Sequence, residues 1–153
     1  MDPVPEVRRV LFLIFVWACV QGRVLIGAFP GLLDDKLNDR NLRLLLRCGV
    51  DTFVCLQAEV DRHVPERIWR KGDRDRGLRP YILDVERLSP KQVLWRHMPI
   101  DDCDVAEDEV VGALVDTLMQ DLRDGRVMYV HCWGGHGRAG TVARFVCSVA
   151  RAV

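Results

Sequence analysis

A glycine-rich stretch between two apolar patterns constrains this chain more than any other feature. After the apolar run 127–130, and before the helical pattern that begins at Val142, the sequence reads His131-Cys132-Trp133-Gly134-Gly135-His136-Gly137-Arg138-Ala139-Gly140-Thr141. This order predicts a strand, a tight loop and a helix. The glycines let successive backbone N–H groups point at one place. That place lies at the N-terminus of the following helix, where the helix dipole favours an anion.

The cysteine and the arginine of this stretch carry its chemistry. Cys132 opens the loop and Arg138 closes it six positions later. Backbone amides, the helix dipole and the guanidinium all favour the thiolate, which is the nucleophilic form of cysteine. The same groups are suited to hold a phosphate over the sulfur. The stretch therefore predicts a nucleophilic cysteine that acts on a phosphate ester, and the alternative is a glycine-rich turn with a buried, inert cysteine.

Four residues of the stretch match the signature of a known family. His131, Cys132, Gly135 and Arg138 have the spacing H-C-x-x-G-x-x-R. The sequence resembles the cysteine-based protein tyrosine phosphatases, and among them the atypical dual-specificity phosphatases. The resemblance implies that the cysteine is the nucleophile, that the arginine binds the phosphate and that the histidine orients the loop by hydrogen bonding. Backbone N–H groups complete the phosphate cradle, so the predicted substrate-binding residues are Trp133, Gly134, Gly135, His136, Gly137 and Arg138. The side chain of Trp133 is either an aromatic wall of the site or a packing group. The side chain of His136 either faces the mouth of the pocket or is an exposed histidine without a role.

A general acid is expected on a second loop. Protonation of the leaving oxygen makes its displacement much faster, and a carboxylic acid is the usual donor. The segment 99–102, Pro-Ile-Asp-Asp, resembles the P-I-x-D acid loop of the same family and ends 30 residues before Cys132. The motif favours Asp102 as the acid, with Asp101 as the second candidate. Asp104 is instead expected to cap the following helix, because a glutamate lies three residues further on.

One position departs from the family pattern. The family usually has Ser or Thr directly after the arginine, and its hydroxyl donates a hydrogen bond to the cysteine sulfur. This chain has Ala139, which cannot donate. Thr141 is the nearest candidate for a supporting hydroxyl, but two helical positions turn its side chain about 200° around the axis. Slow breakdown of the cysteinyl-phosphate is therefore expected.

The alternation of apolar runs and helical patterns predicts an α/β fold. It indicates a central, largely parallel sheet of about four to five strands flanked by helices, with the Cys-x5-Arg loop between a strand and a helix. Helices are predicted over 34–48, from 105 to about 124 and from 142 onward, and strands over 50–56, 93–98 and 126–130. The charged stretch 62–79 is predicted to be a surface loop, and residues 80–84 a short strand or extended connection. Residues 57–59 follow a strand and are either part of a functional loop or a solvated connector.

Length and composition indicate one domain without a general affinity for polyanions. The 153 residues fit a single phosphatase-like catalytic domain over 1–153, and the resemblance implies further helices after Val153. The net charge is zero, so neither nucleic acid nor an anionic membrane is an expected partner. The family chemistry implies no metal or other cofactor, because the loop itself neutralises the phosphate charge. The oligomeric state is left open.

Cysteine spacing and the N-terminal segment bear on localisation. Six scattered cysteines without a C-x-x-C spacing predict reduced thiols and a cytoplasmic protein. The apolar run 10–20 follows Arg8 and Arg9 and is too short to span a membrane. It fits a buried strand, and it also fits the core of a signal segment. In the second case the protein is secreted or membrane-associated.

The predicted function is that of a protein phosphatase acting on phosphotyrosine, with phosphoserine and phosphothreonine as further substrates. A phosphate-binding pseudophosphatase is the first alternative, because Ala139 weakens the second chemical step. A phosphoinositide phosphatase is the second. Related enzymes of that kind often have lysines inside the loop, and residues 133–137 contain none.

Overall fold

The computed structural model describes residues 16–19, 22–100, 108–134 and 137–152. Within these ranges the strands are β1 (Val16–Cys19), β2 (Val24–Gly27), β3 (Thr52–Gln57), β4 (Leu94–Ile100) and β5 (Met128–His131). The helices are α1 (Asp35–Arg47), α2 (Glu66–Trp69), α3 (Tyr81–Leu88), α4 (Asp108–Arg123) and α5 (Arg138–Ala152).

The strands form one five-stranded sheet in the order β1-β2-β5-β3-β4. Strands β2, β5, β3 and β4 are parallel, whereas β1 pairs antiparallel with β2 at one edge. The predicted α/β architecture is thus confirmed. Because β5 is the central strand, between β2 and β3, its carboxyl end lies in the middle of the edge where the parallel strands end. Open α/β sheets bind ligands outside the carboxyl ends of their strands.

Hydrophobic clusters cover both faces of the sheet. Alternate residues of β3 point to opposite faces, so Phe53 packs with α1 and α3, while Val54 packs with α4 and α5. The three central strands are buried along their whole length, as expected for parallel strands covered on both sides. The core thus supports β5, the strand that leads into the glycine-rich loop.

Local signals explain where α1 begins and ends. The side chain of Asp34 accepts a hydrogen bond from the N–H of Leu37 at 2.9 Å, which is an N-cap contact. Gly49 follows the helix with φ +91°, a conformation that favours glycine. These contacts confirm the helix predicted over 34–48.

Two predictions for the middle of the chain are wrong. Residues 80–84 are not extended, since Tyr81 begins helix α3, whose buried residues Tyr81, Ile82 and Val85 have helical spacing. The charged stretch 62–79 is not wholly a surface loop, because it contains α2 and the buried Arg79. The Arg79 side chain is only 6% exposed and forms ion pairs with Asp35 and Asp84 at 2.7 and 2.8 Å. Burial of this guanidinium is possible because both carboxylates compensate its charge.

Among the cysteines of the described ranges, one differs from expectation. Cys48, Cys55 and Cys132 are not in disulfides, whereas Cys147 is disulfide-bonded. The prediction of reduced thiols is therefore wrong at Cys147. Of the N-terminal apolar run, only Val16–Cys19 lies within the described residues, and it is strand β1. No helix within the described ranges has the length and hydropathy needed to cross a membrane.

Candidate active site

The glycine-rich loop joins the end of β5 to the beginning of α5. Cys132 follows directly after β5 and is 3% exposed, and Arg138 is the first residue of α5 and is 7% exposed. Between them Gly134 and Gly137 are exposed. The strand and the helix predicted on either side of this cysteine are therefore confirmed, although α5 begins at Arg138 and not at residue 142. Gly135 and His136, like the candidate acids Asp101 and Asp102, lie outside the described residues.

A carboxylate from the end of β3 holds the guanidinium of Arg138. The Nη1 of Arg138 donates to Glu59 Oε2 and its Nη2 donates to Glu59 Oε1, both at 3.0 Å. Nη1 also donates to the backbone oxygen of Ile100 at 2.7 Å. A bidentate pair with an additional backbone contact fixes both the position and the plane of a guanidinium. The cation at the end of the loop is thus oriented from two neighbouring strands.

Glu59 receives further hydrogen bonds. Its Oε1 accepts from Arg74 Nη2 at 3.1 Å and from Gln57 Nε2 at 3.0 Å. Partial burial by itself raises the pKa of this carboxyl group, but the hydrogen bonds from Arg138, Gln57 and Arg74 lower it to about 2. Glu59 is therefore an anion at any ordinary assay pH, and it is paired with two arginines.

His131 is buried and neutral immediately before the cysteine. Burial lowers its pKa to about 3. Its Nδ1 lies 3.0 Å from Gln57 Oε1, and its Nε2 contacts the hydroxyl of Tyr81. An amide oxygen only accepts hydrogen bonds, so Nδ1 carries the hydrogen and Nε2 accepts from Tyr81. This arrangement is suited to the orienting role predicted for His131.

Trp133 forms an aromatic wall on the exposed side of the loop. Its ring is stacked on Phe29 at 5.8 Å between centroids, and the guanidinium of Arg74 lies 4.2 Å from its centroid. The N–H of Phe29 donates to the oxygen of Trp133 at 3.1 Å. Although these contacts order the indole, the residue is still 41% exposed. An exposed, ordered ring of this kind is suited to contact a substrate beside the loop.

Ala139, directly after the arginine, has no hydroxyl that could donate to the cysteine sulfur. Ala139 is fully buried in the apolar cluster beneath the loop. The hydroxyl of Thr141 donates to the oxygen of Gly137 at 3.1 Å, on an exposed face of α5. That hydrogen bond is directed along the helix, as is common for threonine. The position of Thr141 thus agrees with the helical geometry expected from the sequence.

A cavity adjoins this site on the side of the charged stretch. Its volume is about 520 Å³. Glu59 and Arg74 belong both to its lining and to the contacts around Arg138 and Trp133. The other lining residues carry both signs of charge or are small and apolar, namely Ala58, Asp61, Val64, Asp75, Arg76 and Gly77. The cavity therefore offers room for polar groups next to the loop.

Four residues that contact the cysteine loop or its neighbours have no role predicted from the sequence. Gln57 and Glu59 belong to residues 57–59, for which the sequence allows either a functional loop or a solvated connector, and both contact residues of the cysteine loop. Arg74 belongs to the stretch predicted as solvated, and Tyr81 to the one predicted as extended. The available signal was the position of residues 57–59 at the carboxyl end of a buried strand, where α/β proteins place functional groups.

A profile of a known protein family matches most of the chain. The profile of the PTP-SAK family, described as the Swiss Army Knife protein DSP-PTPase phosphatase domain, matches residues 32–150. The uncharacterized protein MJECL20 of Methanocaldococcus jannaschii is 36% identical over 53 residues, which are 35% of this chain and 36% of that protein. The chain thus matches about a third of that relative's length.

Two solved structures share the fold. The structure of Tk-PTP in the active form has a TM-score of 0.55 and 23% sequence identity, and the similarity covers 86% of this chain and 71% of that one. A kinase associated phosphatase whose catalytic-site cysteine is replaced by serine has a TM-score of 0.60 and 18% identity, with coverages of 89% and 72%. Because the family profile spans most of the chain, including Cys132 and Arg138, this protein belongs to the PTP-SAK family of atypical dual-specificity cysteine phosphatase domains.

Proposed function

We propose that this chain hydrolyses phosphate monoesters of phosphoproteins through a cysteinyl-phosphate intermediate. The observation that carries the proposal is that one loop has a buried Cys132 at its beginning and, at its end, an Arg138 whose guanidinium is fixed by Glu59. A fixed guanidinium stabilises the charge on the equatorial phosphate oxygens without reorganising during the reaction. The family membership supports phosphoric monoester hydrolysis as the reaction class.

In the first step the Cys132 thiolate attacks phosphorus in line with the leaving oxygen. The S–P bond forms, the P–O bond breaks, and Asp102 gives its proton to the departing oxygen. Arg138 and the backbone N–H groups of the loop bind the remaining phosphate oxygens. In the second step water attacks phosphorus, the S–P bond breaks, and Asp102 takes the proton from the water. The products are the free hydroxyl compound and inorganic phosphate.

A phosphoprotein is the substrate class that the surroundings of the loop favour. The exposed Trp133 provides an aromatic surface beside the loop, and the adjoining cavity has side chains of both charges. A peptide offers groups of both charges and apolar side chains, whereas a phosphoinositide headgroup offers several phosphates. The absence of lysine from residues 133–137 also argues against the headgroup. We therefore propose phosphotyrosine, phosphoserine and phosphothreonine as the reacting groups.

The acid is tested by comparing wild type with Asp102→Ala. We expect the variant to hydrolyse para-nitrophenyl phosphate roughly 10²-fold more slowly, since a positioned general acid contributes this much or more. The alkaline limb of the pH–rate profile should also disappear, because that limb reports deprotonation of the acid. Asp101→Ala is the matched control and should keep both the rate and the limb. If Asp101→Ala has the large defect instead, the acid is Asp101.

The second candidate function is a pseudophosphatase that binds phosphorylated partners with little turnover. Ala139 favours it, because this buried position provides no hydroxyl to assist departure of the sulfur. We expect wild type to show a burst of para-nitrophenol followed by slow turnover, and Ala139→Ser to speed the slow phase by about tenfold, as one added hydrogen bond to a charged group permits. Stopped-flow absorbance measures both phases. Ala139→Gly is the control without a hydroxyl, and an equal gain in it would contradict this explanation.

A further inference from the structure

The end of strand β3 contacts both ends of the cysteine loop. Gln57 is the last residue of β3 and is bonded through its Oε1 to His131, which directly precedes Cys132. Two residues later, Glu59 holds Arg138, the last residue of the loop, through two hydrogen bonds. The Gln57 Nε2 donates to Glu59, so the two contacts are joined. One short segment therefore links the beginning and the end of the loop by side chains.

The hydrogen bonds in this network have a consistent direction. Trp95 Nε1 donates to the Tyr81 hydroxyl at 3.3 Å, and that hydroxyl donates to His131 Nε2. His131 Nδ1 then donates to Gln57 Oε1, and Gln57 Nε2 donates to the Glu59 carboxylate. In each of these hydrogen bonds a donor meets an acceptor, so no two donors and no two acceptors of the network face each other. Such a fully satisfied network is rigid, and it ends on the carboxylate that orients Arg138.

We infer that Gln57 and Glu59 are positioning residues that hold the cysteine loop in its phosphate-binding shape, Gln57 through His131 and Glu59 through Arg138. The inference deepens the proposed phosphatase function and rests on it. Neither residue is required to touch the substrate. Glu59 acts by fixing the guanidinium plane, which decides whether two parallel hydrogen bonds to one phosphate form. Gln57 acts by fixing the ring that lies next to the nucleophile.

A positioning role and a purely electrostatic role of Glu59 predict opposite changes in phosphate affinity when the residue is removed. A nearby carboxylate repels a phosphate, so its removal alone should tighten phosphate binding. If Glu59 positions Arg138, its removal should weaken phosphate binding despite the lost repulsion. The direction of the change therefore separates the two roles.

The test measures binding of inorganic phosphate and of tungstate, an oxyanion probe, by calorimetry, together with KM and kcat for para-nitrophenyl phosphate. Glu59→Ala should weaken binding of both oxyanions about tenfold, in line with the loss of hydrogen bonds to a charged group. Glu59→Gln keeps the shape and one acceptor, and it should show a smaller loss. If the alanine variant does not fold, the oxyanion affinity of Glu59→Gln tests the inference by itself. Glu66→Gln is the control, because Glu66 also accepts from an arginine, Arg70, but on the exposed α2.

Two outcomes separate this inference from the proposed function. If wild type binds phosphate without turning over the ester, and Glu59→Ala loses that binding, the phosphatase proposal fails and the positioning role stands. If the folded Glu59→Ala and Glu59→Gln variants bind oxyanions as tightly as wild type or more tightly, the positioning role is overturned whatever the turnover. A lowered melting temperature with unchanged oxyanion affinity likewise overturns it, since it leaves Glu59 a purely structural ion pair.

Discussion

Cys132→Ser is expected to abolish hydrolysis of para-nitrophenyl phosphate, with a loss of roughly 10⁴-fold or more, as for removal of other covalent nucleophiles. The serine hydroxyl is far less ionised than a thiol at neutral pH and forms no thiophosphate bond. Oxyanion binding should persist, because the backbone amides and Arg138 are unchanged. Steady-state kinetics and calorimetry on the same preparation measure both effects.

A matched control for this variant is Cys48→Ser. Cys48 is a half-buried cysteine at the C-terminal end of α1, outside any disulfide and in a different part of the fold. Its replacement should leave the rate within about twofold of wild type, because the residue does not belong to the cysteine loop. Turnover by Cys132→Ser at the wild-type rate would remove the proposed mechanism.

Arg138→Lys is expected to lower kcat/KM roughly 10²- to 10³-fold, the range seen when one preorganised charge-stabilising donor is lost. Lysine keeps the charge, but its ammonium group cannot form the bidentate pair with Glu59 or with a phosphate. The variant also leaves Glu59 without its two hydrogen bonds from Arg138, which currently lower the pKa of that carboxyl group. Initial rates over a range of substrate concentrations measure the loss.

Arg70→Lys is the control for the arginine variant. Arg70 likewise pairs with carboxylates, those of Asp35 and Glu66, but its side chain is 41% exposed. Exposed pairs contribute little to stability, so we expect near-wild-type activity and folding. A defect in Arg70→Lys as large as that in Arg138→Lys would show that the loss does not arise at the phosphate site.

The loop and its flanking elements could be predicted because their signals are local. Cys132 and Arg138 lie within seven consecutive positions, which follow a buried strand and precede a helix with apolar periodicity. The start of α1 at Asp34 follows equally from a local capping contact. Elements and motifs of this kind need no knowledge of distant contacts.

The supporting network could not be predicted because it depends on tertiary contacts. Glu59 and Arg138 are 79 positions apart, and Gln57 and His131 are 74 apart. Only the pairing of β3 beside β5 brings them together. When a glutamate follows a strand, nothing in the local sequence shows whether its carboxylate binds an arginine or faces solvent.

Charge density misled the prediction for the stretch 62–79. Charged residues are usually exposed, but Arg79 is buried between Asp35 and Asp84 and lies 4.6 Å from the Trp69 ring centroid. In the last helix the apolar residues Val142, Phe145, Val146 and Val149 have helical spacing and predict one core-facing side, but only part of that side is buried. Val142 and Val146 are in the core, whereas Phe145 and Val149 are 49% and 39% exposed. The helical spacing therefore predicts a wider apolar face than the one with which α5 packs against the sheet.

The most direct measurement of the central claim is a rapid-quench experiment that traps the phosphoenzyme. Wild-type protein is mixed with para-nitrophenyl phosphate, quenched in acid within the burst phase, digested and analysed by mass spectrometry. The account predicts one phosphate, bound to Cys132, that accumulates in wild type and is absent from Cys132→Ser. Turnover without any labelled cysteine, or with the phosphate on another residue, would contradict it.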